Sequence, residues 1–153
     1  MKFISTIRNG LKLPTRSKIL FVEALLNSLR NEIHLRNKTT KQLRSLLEKE
    51  TVSLPKSDKE SEIVYYTAGA ITAIKKYAPW RPKCFNTALT ARQMLAKRNI
   101  HSRLHIGFRK KEGKLQGHAW LTYNGEVITG HKRKLHEYQL LSEHDHIKIQ
   151  ESI

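Results

Sequence analysis

Gly117-His118-Ala119-Trp120-Leu121-Thr122-Tyr123-Asn124-Gly125-Glu126-Val127-Ile128-Thr129 reads as a β-hairpin. Asn124-Gly125 is its turn, because both residue types tolerate the positive φ that a two-residue hairpin loop needs. A regular ladder from that turn pairs Tyr123 with Glu126, Trp120 with Thr129 and His118 with His131. Upstream, Leu104, Ile106 and Phe108 alternate with Arg103 and His105, which predicts a further strand. Arg109–Leu115, with Gly113, reads as a charged loop between them. Beyond the hairpin, a short helix is expected over Lys132–Leu141 and a last strand at Ile147–Ile149.

The first half of the chain has a different period. From Ser17, Ile19, Val22, Leu25, Leu26, Leu29 and Ile33 recur at three- and four-residue steps, so a helix with these residues inward is expected. Thr39 or Thr40 can cap a second helix carrying Leu43, Leu46 and Leu47, and Thr51–Ser57, with Pro55, reads as a linker. Asp58 can cap a third helix to about Tyr77, with Ile63, Val64, Ala68, Ile71 and Ile74 inward. Pro79 and Pro82 hold Trp80–Lys83 extended. A fourth helix opens at Cys84 and runs to about Lys97, with Asn99 as a left-handed stop. The order implies an α+β fold. Residues 1–57 form a helical N-terminal segment and residues 58–153 a core with a small antiparallel sheet, the two making one compact unit.

The chain has 153 residues, about one domain, and a net charge of +16. That charge is shared equally between residues 1–57 and 58–153, so the surface is basic throughout and suits an acidic partner. One cysteine, Cys84, excludes an internal disulfide and a multi-cysteine zinc site. His144-Asp145-His146 has metal-binding atoms but no further ligands nearby, and reads as a solvated turn. Gly107, Gly113 and Gly117 lack the context of a phosphate loop, so no ATP site and no cofactor is expected. No apolar run approaches a membrane span, and no signal peptide is apparent. A cytoplasmic protein is expected. The basic charge would also suit a nucleic-acid-binding module, but no aromatic–basic strand platform, helix-turn-helix or zinc signature accompanies it.

Two residues carry the candidate chemistry. A thiol attacks as its thiolate, and the unpaired N–H groups of a helix start favour negative charge there. Cys84 stands at such a start, with Ala88, Ala91 and Leu95 on its helical stripe. The other reading of a lone cysteine is a small core residue. His118 opens a strand, where it can act as base for a cysteine on a neighbouring helix, with Trp120 on the same face shielding it from water. The other reading is a partly buried strand histidine packed by a tryptophan.

Cys84-Phe85-Asn86-Thr87-Ala88-Leu89, Leu95-Ala96-Lys97-Arg98-Asn99-Ile100, Leu104-His105-Ile106-Gly107-Phe108 and Gly117-His118-Ala119-Trp120-Leu121 follow one another in order. Together they resemble the transglutaminase-like cysteine peptidase domain of lasso-peptide maturation proteins, over roughly residues 62–142. The resemblance implies a papain/transglutaminase-like core with Cys84 as nucleophile and His118 as base. It implies removal of the leader from a ribosomally made precursor peptide before macrocyclisation. The implied partners are that precursor, a separate leader-recognition protein and an asparagine-synthetase-like cyclase. ATP dependence is associated with the family, although no ATP site is legible in this chain.

The third catalytic position departs from the family pattern. An Asp is expected about a dozen residues after the histidine, yet Val127-Ile128-Thr129-Gly130-His131 contains no carboxylate. In the regular register Thr129 and His131 share the face of His118, so His131, or alternatively Thr129, is the expected orienter of its ring. On that reading Gly130→Asp raises activity, provided the strand can twist to aim the carboxylate. The competing functions are a catalytically weak or inactive scaffold that binds precursor or cyclase, and the nucleic-acid-binding module.

Overall fold

A computed structural model describes residues 14–36, 57–131 and 134–140. Three helices precede a four-stranded antiparallel sheet, the α+β order the periodicities predict. The helices are α1 (Thr15–Arg36), α2 (Asp58–Tyr77) and α3 (Cys84–Ala96). The strands are β1 (Arg103–Lys111), β2 (Lys114–Tyr123), β3 (Glu126–Thr129) and β4 (Gln139–Leu140), in the order β3-β2-β1-β4. A 3-10 turn, Leu135–Glu137, leads into β4, where a longer helix was expected. The helix expected after Thr39, the strand at Ile147–Ile149 and the His144-Asp145-His146 turn lie outside the described residues. No helix among the described residues is long and apolar enough to cross a membrane.

α1 is rotated from the face its apolar period predicts. It buries Leu20, Ala24, Ser28 and Asn31, while Ile19, Val22, Leu26 and Ile33 are each more than half exposed. The cause is a polar seam with α3. Ser28 Oγ donates to Asn86 Oδ1 at 3.0 Å. Asn86 Nδ2 donates to the Ser28 carbonyl at 3.1 Å and to Glu32 at 2.9 Å. Asn31 Nδ2 donates to Thr90 Oγ1 at 3.0 Å and to Gln93 at 2.9 Å. An apolar stripe turned inward would strand the buried amide and hydroxyls of α3, each at about 1–3 kcal/mol. Burial of small and polar residues therefore wins over burial of leucines.

α2 starts with Asp58 as its first helical residue; Ser57 holds the cap position without a side-chain bond. Val64, Thr67, Ala70, Ile71 and Ile74 are its buried residues. They share the core with Ala88, Ala91 and Leu95 of α3 and with Leu104, Ala119 and Leu121 of the sheet. α3 ends where Asn99 enters the left-handed region at φ 56°, and the Ile100 N–H closes back on the Leu95 carbonyl at 3.0 Å.

β1 and β2 are longer than the sequence pattern suggests. They pair without a break from Arg103 opposite Thr122 to Lys111 opposite Lys114. The expected loop is therefore a tight turn, with Glu112 and Gly113 both at positive φ. Between β2 and β3 the ladder starts as predicted, Tyr123 opposite Glu126 and Thr122 opposite Val127, and then slips so that Thr129 faces Leu121. Ile128 is the extra residue of a β-bulge. The predicted pairs Trp120–Thr129 and His118–His131 do not form, because the bulge shifts the rest of the strand by one.

Candidate active site

Cys84 is the first residue of α3, partly buried and packed against the core. Its turn is anchored from two sides. Trp80 Nε1 donates to Ser28 Oγ at 3.1 Å, tying the Pro79–Lys83 link to α1. Asn86 uses both amide hydrogens, and its oxygen accepts from Ser28 and Thr90. All four of its hydrogen-bonding positions are thus filled. Thr87 Oγ1 donates to the Cys84 carbonyl at 2.9 Å. The N–H groups of this first turn have no partner within the helix, so positive partial charge gathers at the cysteine.

Among the strands, α3 packs most on β2, and Cys84 rests against the core cluster that includes Ala119 and Leu121 of that strand. Ala119, Leu121 and Tyr123 belong to this helix-side core; His118 and Trp120 alternate with them and lie on the other face of β2.

His118 is 4% exposed. Its Nε2 lies 2.7 Å from the Gly130 carbonyl oxygen. A carbonyl only accepts, so Nε2 carries the hydrogen, and in the neutral ring the lone pair sits on Nδ1. Trp120 packs beside the imidazole at 6.0 Å between centroids, nearly parallel to it. Its indole also stacks on His105 at 5.3 Å. Tyr138 closes over His118 at 5.4 Å. Trp120 thus shields the ring as its position two residues on suggests.

The carbonyl of Gly130 stands where the sequence reading put His131 or Thr129. His131 is exposed. Thr129 is buried, and its hydroxyl oxygen has no hydrogen-bond partner. The bulge at Ile128 explains the change, since it turns the chain so that the backbone of residue 130 meets the histidine. Gly130 itself has φ 81°. A Cβ there would lie 2.7 Å from the Ala119 carbonyl oxygen and 2.9 Å from the Trp120 Cα. The positive φ and the close approach both argue against the expectation that Gly130→Asp raises activity. An isolated glycine closing a strand pattern signals a bulge or close backbone approach, and that signal could have found it.

The double variant Thr129→Val/His131→Ala follows from this geometry. Its turnover should match the wild type. Its melting temperature should hold or rise, because valine removes an unsatisfied buried hydroxyl. Parallel activity and melting measurements check it, and a sharp loss of rate in a folded protein would restore one of the two side chains as the orienter.

The chain's family model is that of the transglutaminase-like superfamily, which matches residues 28–143. No curated protein and no solved structure matches. The matched span covers α1 from Ser28, the anchored start of α3, and the hairpin with His118 and Gly130. That span is well over half of the 153 residues, and the chain belongs to the transglutaminase-like superfamily.

Proposed function

We propose that this chain is a cysteine peptidase that removes the leader from a ribosomally made lasso-peptide precursor. Membership of the superfamily supports a peptidase-type enzyme of the cysteine class. The observation that carries the reading is the 2.7 Å bond from His118 Nε2 to the Gly130 carbonyl. A bond there leaves the proton on Nε2 and Nδ1 unprotonated in the neutral ring, the tautomer that suits a general base for a cysteine.

The steps balance as an ordinary acyl transfer. His118 Nδ1 takes the proton of the Cys84 thiol, and Sγ adds to the scissile carbonyl carbon. The backbone N–H of Cys84 is the donor for the oxyanion that forms. The intermediate collapses with loss of the core peptide's amine, which takes its proton from His118. The leader is left as a thioester on Sγ. Water, deprotonated by His118, then releases the leader carboxylate and restores the thiol. Gly130 holds the ring throughout without exchanging a proton.

The basic surface supports an acidic precursor or carrier. The leader-recognition protein and the asparagine-synthetase-like cyclase belong to the same proposal, through the resemblance. The test is to incubate the chain with a lasso-peptide precursor and a leader-recognition protein, and to weigh the products. Two peptides whose masses sum to precursor plus one water are expected, with slow cleavage when the recognition protein is left out. An intact precursor that nevertheless binds the chain would overturn the peptidase reading in favour of a scaffold. A salt-sensitive complex with random DNA and none with the precursor would favour the nucleic-acid module.

A further inference from the structure

A strap formed by residues 134–140 closes over the face of the sheet that carries His118. Its end is fixed by β4, with Gly107 opposite Leu140 and Phe108 opposite Gln139. Gly107 permits that approach, because a Cβ there would lie 3.0 Å from the Gln139 carbonyl oxygen, the Trp120 indole and the Tyr138 Cβ. Tyr138, 6% exposed, rests on His118 and meets Trp120 at 6.4 Å, edge to face.

Arg109 of β1 lies on the far side of the tyrosine. Its guanidinium carbon is 4.9 Å from the Tyr138 ring centroid. The same guanidinium donates to Glu137 at 2.9 Å and to Gln116 of β2 at 3.1 Å. Lys134 reaches Glu137 from the strap at 2.8 Å. Its bond, with that of Arg109, holds the Glu137 carboxyl below the usual carboxylate range. Arg109 therefore touches the sheet, the strap's acid and the tyrosine ring at once.

We propose that Tyr138, held down by Arg109, is a positioning residue that keeps the His118 ring in the plane set by the Gly130 carbonyl. The bond at Nε2 sets the position of one ring atom. Two aromatic rings restrict the tilt of the imidazole about it: Trp120 on the strand and Tyr138 from the strap. A neutral carbonyl binds an imidazole less firmly than a carboxylate would, so this chain has more need of a steric clamp. The role in turnover rests on the peptidase reading; the clamp on the ring does not.

The test uses the full chain with Tyr138→Ala, Tyr138→Phe and Arg109→Gln, and two readouts. The first is long-range proton–nitrogen NMR of the His118 ring, which reports tautomer and mobility without any substrate. One Nε2–H tautomer is expected in the wild type and in Tyr138→Phe, and a mixed, mobile ring in Tyr138→Ala. The second is precursor cleavage, where kcat should fall about 10²-fold in Tyr138→Ala with little change in KM. Tyr138→Phe should keep most of the rate. Arg109→Gln, which keeps the Tyr138 ring but removes the guanidinium that holds it down, should lie between them and covers the case in which Tyr138→Ala does not fold. A single fixed tautomer in both folded Tyr138→Ala and Arg109→Gln would overturn the clamp. A wild type that shows the fixed ring but cleaves nothing would overturn the peptidase reading alone.

Discussion

Cys84→Ala is expected to abolish precursor cleavage and to leave the fold standing. The substitution removes one sulfur at a helix start, and alanine is the best helix former. Cys84 is only partly buried, so the stability change should be about 1 kcal/mol or less. The anchoring of that turn does not use the thiol. Trp80, Ser28 and Asn86 hold it through their own bonds, and Thr87 binds the Cys84 carbonyl rather than its side chain. Turnover should fall roughly 10⁴- to 10⁶-fold, the scale seen when a hydrolase loses its nucleophile. Binding of the precursor should persist. The measurements are product masses, a thermal melt and a precursor-binding assay on the same preparation. Unchanged cleavage in a folded variant would remove Cys84 from the chemistry and leave the thiol as the small core residue that a lone cysteine can be.

Much of this architecture is legible from residue patterns, and the misses share one cause. The helix over Asp58–Tyr77, the helix opened by Cys84, the stop at Asn99 and the turn at Asn124-Gly125 all follow from local signals: period, proline, and tolerance of positive φ. α1 misleads because its apolar stripe competes with a polar one. Ser28 and Asn31 look like surface residues until Asn86 and Thr90 are known to face them. The register beyond Leu121 misleads because the signal of a bulge, Gly130, comes only after the strand residues it displaces, and one extra residue shifts every later pairing. Tyr138 and Arg109 are far apart in sequence and meet only through β4. Local choices were readable; partnerships made by tertiary contact were not.

Gly130→Asp carries the sharpest consequence of that bulge. A carboxylate at this position would repair the family pattern on paper. The structure expects the reverse: a large loss of both stability and turnover. A side chain at φ 81° is strained, at about 1–2 kcal/mol for a residue other than glycine. The Cβ would also sit 2.7–2.9 Å from the Ala119 carbonyl oxygen and the Trp120 Cα and Cβ. Backbone atoms of a central strand cannot yield as the tip of a flexible side chain can. To make room, residue 130 must withdraw from β2, and its carbonyl then leaves His118 Nε2. Gly130→Ala separates the two contributions, since it adds the Cβ and no charge. Both variants should lose about 3 kcal/mol or more of stability, and both should release the His118 tautomer. For scale, replacing the carboxylate of a serine-protease triad by a neutral group of the same shape costs about 10⁴-fold through the wrong tautomer. Loss of the Gly130 carbonyl should cost less, because a carbonyl stabilises the charged imidazolium less than a carboxylate does. Melting curves, ring NMR and turnover on the alanine and aspartate variants together decide the matter. A folded Gly130→Asp that cleaves faster than wild type would mean that a carboxylate can take the carbonyl's place, and that the close approach of residue 130 to β2 is not what holds the histidine.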